Sequence, residues 1–175
     1  MREPTSEARI YVASLSDYNA GRLHGEWIDA DQDADEILAA VKAMLAKSRE
    51  PFAEEWAIHD YEGFGGIRIH EWESFDTVSE LAEAIEEHGQ AFAAFYDYQD
   101  QADTVAECVS AFQDAFRGEW DSETAYAEQF AEDCGLEVPE WLACHVDWDS
   151  YARDLFCGEL YSVDTNGGVF VFESM

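Results

Sequence analysis

The sequence predicts an α+β protein built from small units in series. Short β-rich runs cluster around one amphipathic helix in the first 66 residues. Helical periodicity then dominates to about Phe156, and the segment Glu159–Glu173 carries a hairpin signal. With 47% apolar and 14% aromatic residues, the 175-residue chain can bury a real core. That length suits one ordinary domain or two to three small ones.

The elements follow in order. RIYVASL (Arg9–Leu15) is β-rich, and RLHGEWIDA (Arg22–Ala30) follows it after the loop SDYNAG. From Asp33 to Arg49, apolar residues at Ile37, Leu38, Val41, Met44 and Leu45 have helical spacing, and Pro51 stops the run. EEWAIHDYEGF (Glu54–Phe64) reads as a third strand ended by Gly63, Gly65 and Gly66. TVSELAEAIEEHG predicts a helix burying Val78, Leu81 and Ile85, with Gly89 as its stop, and QAFAAFYDYQD predicts a second one. DTVAECVSAFQDAFRG is expected to start at the N-cap Asp103 and to carry Val105, Cys108, Val109, Phe112 and Phe116 on one helical face. DSETAYAEQFAEDCG repeats the plan, with Asp121 as N-cap and Gly135 as stop. Pro139 opens a short helical turn, DWDSYARDLFCG gives another helix, and ELYSVDTNGGVFVFE reads as a hairpin around Asn166-Gly167-Gly168. This punctuation divides the chain into an N-terminal α+β unit (1–66), a central mainly helical unit (67–102) and a C-terminal α+β unit (103–175). VFVFE is either a core strand or an apolar edge available to a second copy.

A net charge of −31, from 40 acids and nine bases, opposes that core by self-repulsion. The first 60 residues hold 13 acids and six bases, a net of −7. The remainder holds 27 acids and three bases (Arg68, Arg117, Arg153), a net of −24. Such a surface is expected to repel nucleic acid and anionic membrane and to attract cationic grooves. The opening MREPTSEARIYVASLS lacks the apolar stretch of a secretory signal, and no 18-residue apolar run occurs. Cys108, Cys134, Cys144 and Cys157 form no C-x-x-C pair. Free, buried thiols in a reducing cytoplasm are the simplest reading, with secretion and two disulfides as the alternative.

Motifs of catalysis are missing. DADQDAD (Asp29–Asp35) imitates a calcium loop, but the sixth and twelfth positions hold Ala34 and Ala40, or Glu36 and Lys42 in the other register. An EF-hand needs Gly and Glu there. His24, His59, His70, His88 and His145 show no zinc spacing, and no nucleophile elbow, phosphate loop or dinucleotide fingerprint is present. No enzyme, cofactor or metal is expected.

Charge is therefore the functional signal. Glu80, Glu83 and Glu87 sit at i, i+3 and i+7, opposite Val78, Leu81 and Ile85. FQDAFRGEWDSETAYAEQFAED (Phe112–Asp133) holds seven acids against Arg117 alone, with Glu128 and Glu132 four apart. Like charges at that spacing destabilise a helix by about 0.2–0.5 kcal/mol per pair. Alternating Glu and Lys would have solvated these faces with favourable pairs instead. Duplex DNA carries one charge per roughly 1.7 Å of axis, so a net of −31 corresponds to about 50 Å of duplex. Halophile-type acidity and an acidic chaperone for basic proteins are the rival readings.

The segments RIYVASLSDYNAGRLHGEWIDA, EEWAIHDYEGFGG, AFRGEWDSETAYAEQFAED and WDSYARDLFCGELYSVDTNGGVFVFE together resemble the ArdA-type antirestriction proteins over nearly the whole chain. The resemblance implies an elongated dimer of three small units per chain, patterned with carboxylates like bent DNA. It implies a cytoplasmic inhibitor, without cofactor or catalysis, that occupies the DNA-binding groove of type I restriction–modification enzymes and contacts their modification and specificity subunits. Such proteins block restriction, often methylation too, and help mobile DNA survive. The expected contact surface comprises Glu80, Glu83, Glu87, Asp97, Asp100, Glu119, Asp121, Glu123, Glu128, Glu132 and Asp133, with Asp147, Asp149 and Asp154. Trp120, Tyr126 and Trp148 are expected to pack inward.

Overall fold

The structure is a computed structural model that describes residues 8–98 and 104–174. It is α+β, with two separate three-stranded antiparallel sheets. Its described residues fall into two compact units, one ending at Val109 and the other beginning at Ser110.

In the first unit, β1 (Arg9–Ser14) is the central strand between β2 (Gly25–Asp29) and β3 (Trp56–Glu62). Ile10 faces Ile28 across one ladder, and Val12 faces Ile58 across the other. All four are β-branched and buried, Ile10 and Val12 on the central strand and Ile28 and Ile58 on its neighbours. The segment SDYNAG is not simply a loop. Leu15–Asn19 forms a short helix, α1, because the Ser14 side chain accepts from the Asp17 backbone N–H and nucleates one turn. α2 (Ala34–Leu45) begins after Asp33 and buries Ile37, Val41, Met44 and Leu45, packing on β2 and on α3 (Phe75–Tyr98). Within α3, Gly89 adopts φ 66°, so the predicted stop is a real break between two helical runs that lie end to end. The runs bury Val78, Leu81 and Ile85, then Phe92 and Phe95. Gly65, at φ 63°, approaches Ala93 so closely that a Cβ would lie 2.7 Å from that residue's Cβ, which explains a glycine after β3.

The segment from Val105 onward, which begins at the end of the first unit and makes up the second, departs more from expectation. α4 (Val105–Ala115) ends early, and FRGEW forms a strand, β4 (Phe116–Trp120), instead of continuing the helix. Phe116 sits four residues after Phe112, so its spacing mimics a helical face, while its partner Phe172 is 56 residues away in sequence. The predicted hairpin forms β5 (Leu160–Asp164) and β6 (Val169–Glu173). β6 lies between β4 and β5, so VFVFE is a central strand and not an edge. Its Phe172 is fully buried between Phe116 at 5.5 Å and Tyr161 at 5.2 Å. α5 (Glu123–Asp133) is capped by Ser122, whose hydroxyl accepts from the Ala125 N–H at 3.1 Å; Asp121 does not take that role. Gly135, at φ 86°, ends the helix. α6 (Glu140–Ala143) follows Pro139, and α7 (Trp148–Phe156) is capped by Asp147. Tyr126, Leu160, Val169 and Val171 form a small core, covered by Trp120, Leu155 and Phe156. Trp148 is half-buried and meets Tyr151 edge-on. The predicted N-cap Asp103 lies outside the described residues.

The four cysteines are free, but only Cys108 is buried; Cys134, Cys144 and Cys157 are exposed near helix ends. Burial pushes the Cys108 thiol up to about 11. With a disulfide reagent at pH 8, three thiols of the native protein should therefore react readily and the fourth only after denaturation.

Asp17 is the buried carboxylate among the described residues of the first unit. It accepts from the Ser48 hydroxyl and pairs with Arg22, 3.5 Å away, which also holds Glu50. The Ser48 hydrogen bond, with help from Ser14, His24 and Arg22, holds its carboxyl below the usual carboxylate range against the opposing effect of burial. A lowered folded-state value means the stabilisation is present above the usual range and lost as pH falls through the lowered one. Asp17→Asn should therefore lower Tm at neutral pH, and the gap from wild type should narrow on acidification below the carboxylate range, as read by thermal melts.

Candidate functional site

The predicted surface rests on three helices and one strand. On α3 the apolar positions Val78, Leu81 and Ile85 turn inward, which leaves Glu80, Glu83 and Glu87 exposed on the other side. Glu86 joins them, and Asp97 is exposed on the second helical run. Carboxylates three or four residues apart on a helix have Cβ atoms about 5–6 Å apart, so the row is dense. Glu87 lies 3.9 Å from His88 Nε2. Asp100 lies outside the described residues.

In the second unit, Glu119 on β4, Glu128, Glu132 and Asp133 on α5, and Asp154 on α7 are exposed, as is Asp121 between β4 and α5. α5 turns Tyr126, Ala127 and Ala131 inward, so its outer side is left to acids. Its last turn carries Glu132 and Asp133 and no base, although a helix C-terminus favours cations. Asp133 is held by the Gln129 amide at 3.0 Å.

Arg117, the one base in Phe112–Asp133, does not neutralise these acids. Its guanidinium donates to the Asp114 carbonyl at 2.7 Å and pairs with Glu173 on β6. It thus braces the turn from α4 into β4. The other Lys and Arg ion pairs among the described residues engage Glu62, Asp17, Glu50 and Glu26 in the first unit. None reaches a carboxylate of the predicted surface. Both units therefore present acids in rows with no Lys or Arg partner among the described residues.

Three of the predicted acids have a second job that the sequence did not disclose. Glu123 is half-buried and accepts from the Ser162 hydroxyl at 2.6 Å, joining α5 to β5. Asp149 accepts from the Thr124 hydroxyl at 2.8 Å, joining α7 to α5. Asp147 accepts from the Ser150 N–H at 2.9 Å as the α7 cap. Position at or next to a predicted helix start was the available signal for all three. Further exposed acids, Asp76 on α3 and Glu107 and Asp114 on α4, were not singled out, and nothing but their acidity marks them in the sequence. Among the described residues no group of three or more His, Cys, Asp or Glu could hold a metal ion, and no helix is long and apolar enough to cross a membrane.

The geometry defines an acidic α+β protein with rows of exposed carboxylates on its helices. Residues 10–170 match the family model described as Antirestriction protein (ArdA), and the chain belongs to that family. A search of curated proteins gives no significant match. Family membership makes its function antirestriction, and the family is one of inhibitors rather than of catalysts.

The two kinds of acid should separate experimentally. Glu123→Ala and Asp149→Ala should each destabilise the protein by about 1 kcal/mol through a lost hydrogen bond. Glu132→Gln should instead stabilise it by roughly 0.5 kcal/mol, by relieving repulsion from Glu128 and from the helix C-terminus. Denaturant unfolding of the three variants reads both signs.

Proposed function

We propose that this protein inhibits type I restriction–modification enzymes by mimicking DNA, occupying the DNA-binding groove formed by their modification and specificity subunits. It acts in the cytoplasm as a homodimer, blocks cleavage and also methylation of incoming DNA, and thereby protects mobile genetic elements. The observation that carries this reading is the rows of exposed carboxylates on α3 and α5 without Lys or Arg partners among the described residues. Fixed on helices, they offer a cationic groove anions at a spacing comparable to that of phosphates, without bases to read or bonds to cleave. The groove supplies the missing cations. Family membership in the antirestriction proteins supports the same conclusion.

Inhibition through a distributed field tolerates single losses. Glu128→Gln should change affinity for a purified type I methyltransferase about twofold or less, whereas neutralising Glu80, Glu83, Glu87, Glu119, Asp121, Glu128, Glu132 and Asp154 together should abolish binding. Wild type should displace a DNA oligonucleotide from that enzyme, and more weakly as salt rises. Lack of displacement at low salt would sink the mimicry. Equal affinity for unrelated cationic proteins would point to a general sequestering role instead.

A further inference from the structure

The first unit contains a cavity of about 360 Å³ lined by Leu15, Glu54, Glu55, Trp56 and Trp72, outside the carboxylate rows already described. Its walls are held by backbone. The Leu15 N–H donates to the Glu55 carbonyl at 3.0 Å, which ties α1 to the residue before β3. The Ile58 N–H donates to the Glu71 carbonyl at 3.0 Å, which fixes the residue next to Trp72 against β3. Trp56 stacks on Phe75 at 4.4 Å and 20°, so one face of its ring is already covered. Trp72 is 63% exposed, and Glu54 and Glu55 are exposed with no Lys or Arg partner among the described residues. Core packing does not account for an indole in water beside two carboxylates.

We propose that this cavity seats a cationic side chain of the protein partner, best an arginine. A planar guanidinium stacks on an indole and can at the same time direct N–H groups to a carboxylate, whereas a neutral apolar side chain would desolvate Glu54 and Glu55 without pairing them. An anionic occupant would meet the repulsion of a net charge of −31. The identity of the partner rests on the proposed function; the preference for a cation rests on the cavity itself. DNA has no indole, so such a seat gives the inhibitor a contact that the competing duplex cannot copy.

Two measurements test the seat. Titration of the isolated protein with N-acetylarginine amide, followed through indole N–H resonances, should give saturable shifts at Trp72 and Trp56. N-acetylnorleucine amide should not, and Glu54→Gln/Glu55→Gln should abolish the arginine response. Absence of shifts, or equal shifts with norleucine, overturns the proposal. In competition with DNA for a type I methyltransferase, Trp72→Ala leaves the net charge unchanged, so a pure charge field loses nothing. The seat predicts about tenfold weaker displacement. Glu54→Gln/Glu55→Gln should lose more than the equally charged Glu83→Gln/Glu87→Gln. If Trp72→Ala competes like wild type, the seat is rejected and mimicry stands. If wild type does not displace DNA, mimicry is rejected and the arginine titration alone decides whether the seat exists.

Discussion

Apolar burial has to overcome the mutual repulsion of a net charge of −31, and the rest of the structure depends on that balance. Aromatic side chains carry much of the load. Phe64, Phe92, Phe95 and Phe172 are among the largest fully buried side chains, and each removes more area from water than an aliphatic residue could. A few large residues on the inner faces leave the outer faces of α3 and α5 free for acids. The small core around Tyr126, Leu160, Val169 and Val171 would be a weak anchor by itself. It is reinforced by Ser162–Glu123 and Thr124–Asp149, which spend two of the carboxylates on holding elements together.

The bases complete the same economy of charge. Arg22 bridges Asp17 and Glu50, joining α1 to the segment after α2, and Arg9 pairs with Glu62 while lying 4.9 Å over the Trp27 ring. Arg117 closes on Glu173. Each of these three arginines is placed where backbone segments meet, and the carboxylates of α3 and α5 receive none of these pairs. The last turn of α5 shows the consequence most clearly, because Glu132 and Asp133 stand where the helix dipole favours a cation. A protein selected only for stability would not keep that arrangement; the proposed role of the negative surface in inhibition gives a reason for it.

The parts of the fold governed by local physics were legible in the residue pattern. β1, β2 and β3 announce themselves by β-branched and aromatic runs between turn residues, and α2 by its 3.6-residue spacing. Gly89 marks a break because only glycine adopts φ 66° without strain, and Gly135 ends α5 for the same reason. The terminal hairpin follows from Asn166-Gly167-Gly168. The acidic surface was equally legible, since an acid opposite a buried Val78, Leu81 and Ile85 can only face outward.

By itself, then, the sequence determined the α+β class, most elements, the acidity of the outer helix faces and the resemblance that family membership bears out. Tertiary structure decided what depends on partners distant in sequence. β4 exists because Phe116 and Trp120 find Phe172 and Val169 across a ladder, and a window that sees only Phe112 and Phe116 reads the same spacing as helix. VFVFE became the middle strand for the same reason. Ser122 displaced Asp121 as cap, since the hydroxyl that reaches the Ala125 N–H is set by how the chain leaves β4. Three cysteines in helical patterns proved exposed, because periodicity gives a face but not what covers it. Glu123 and Asp149 look like their neighbours in composition, and only the approach of Ser162 and Thr124 from other elements makes them structural.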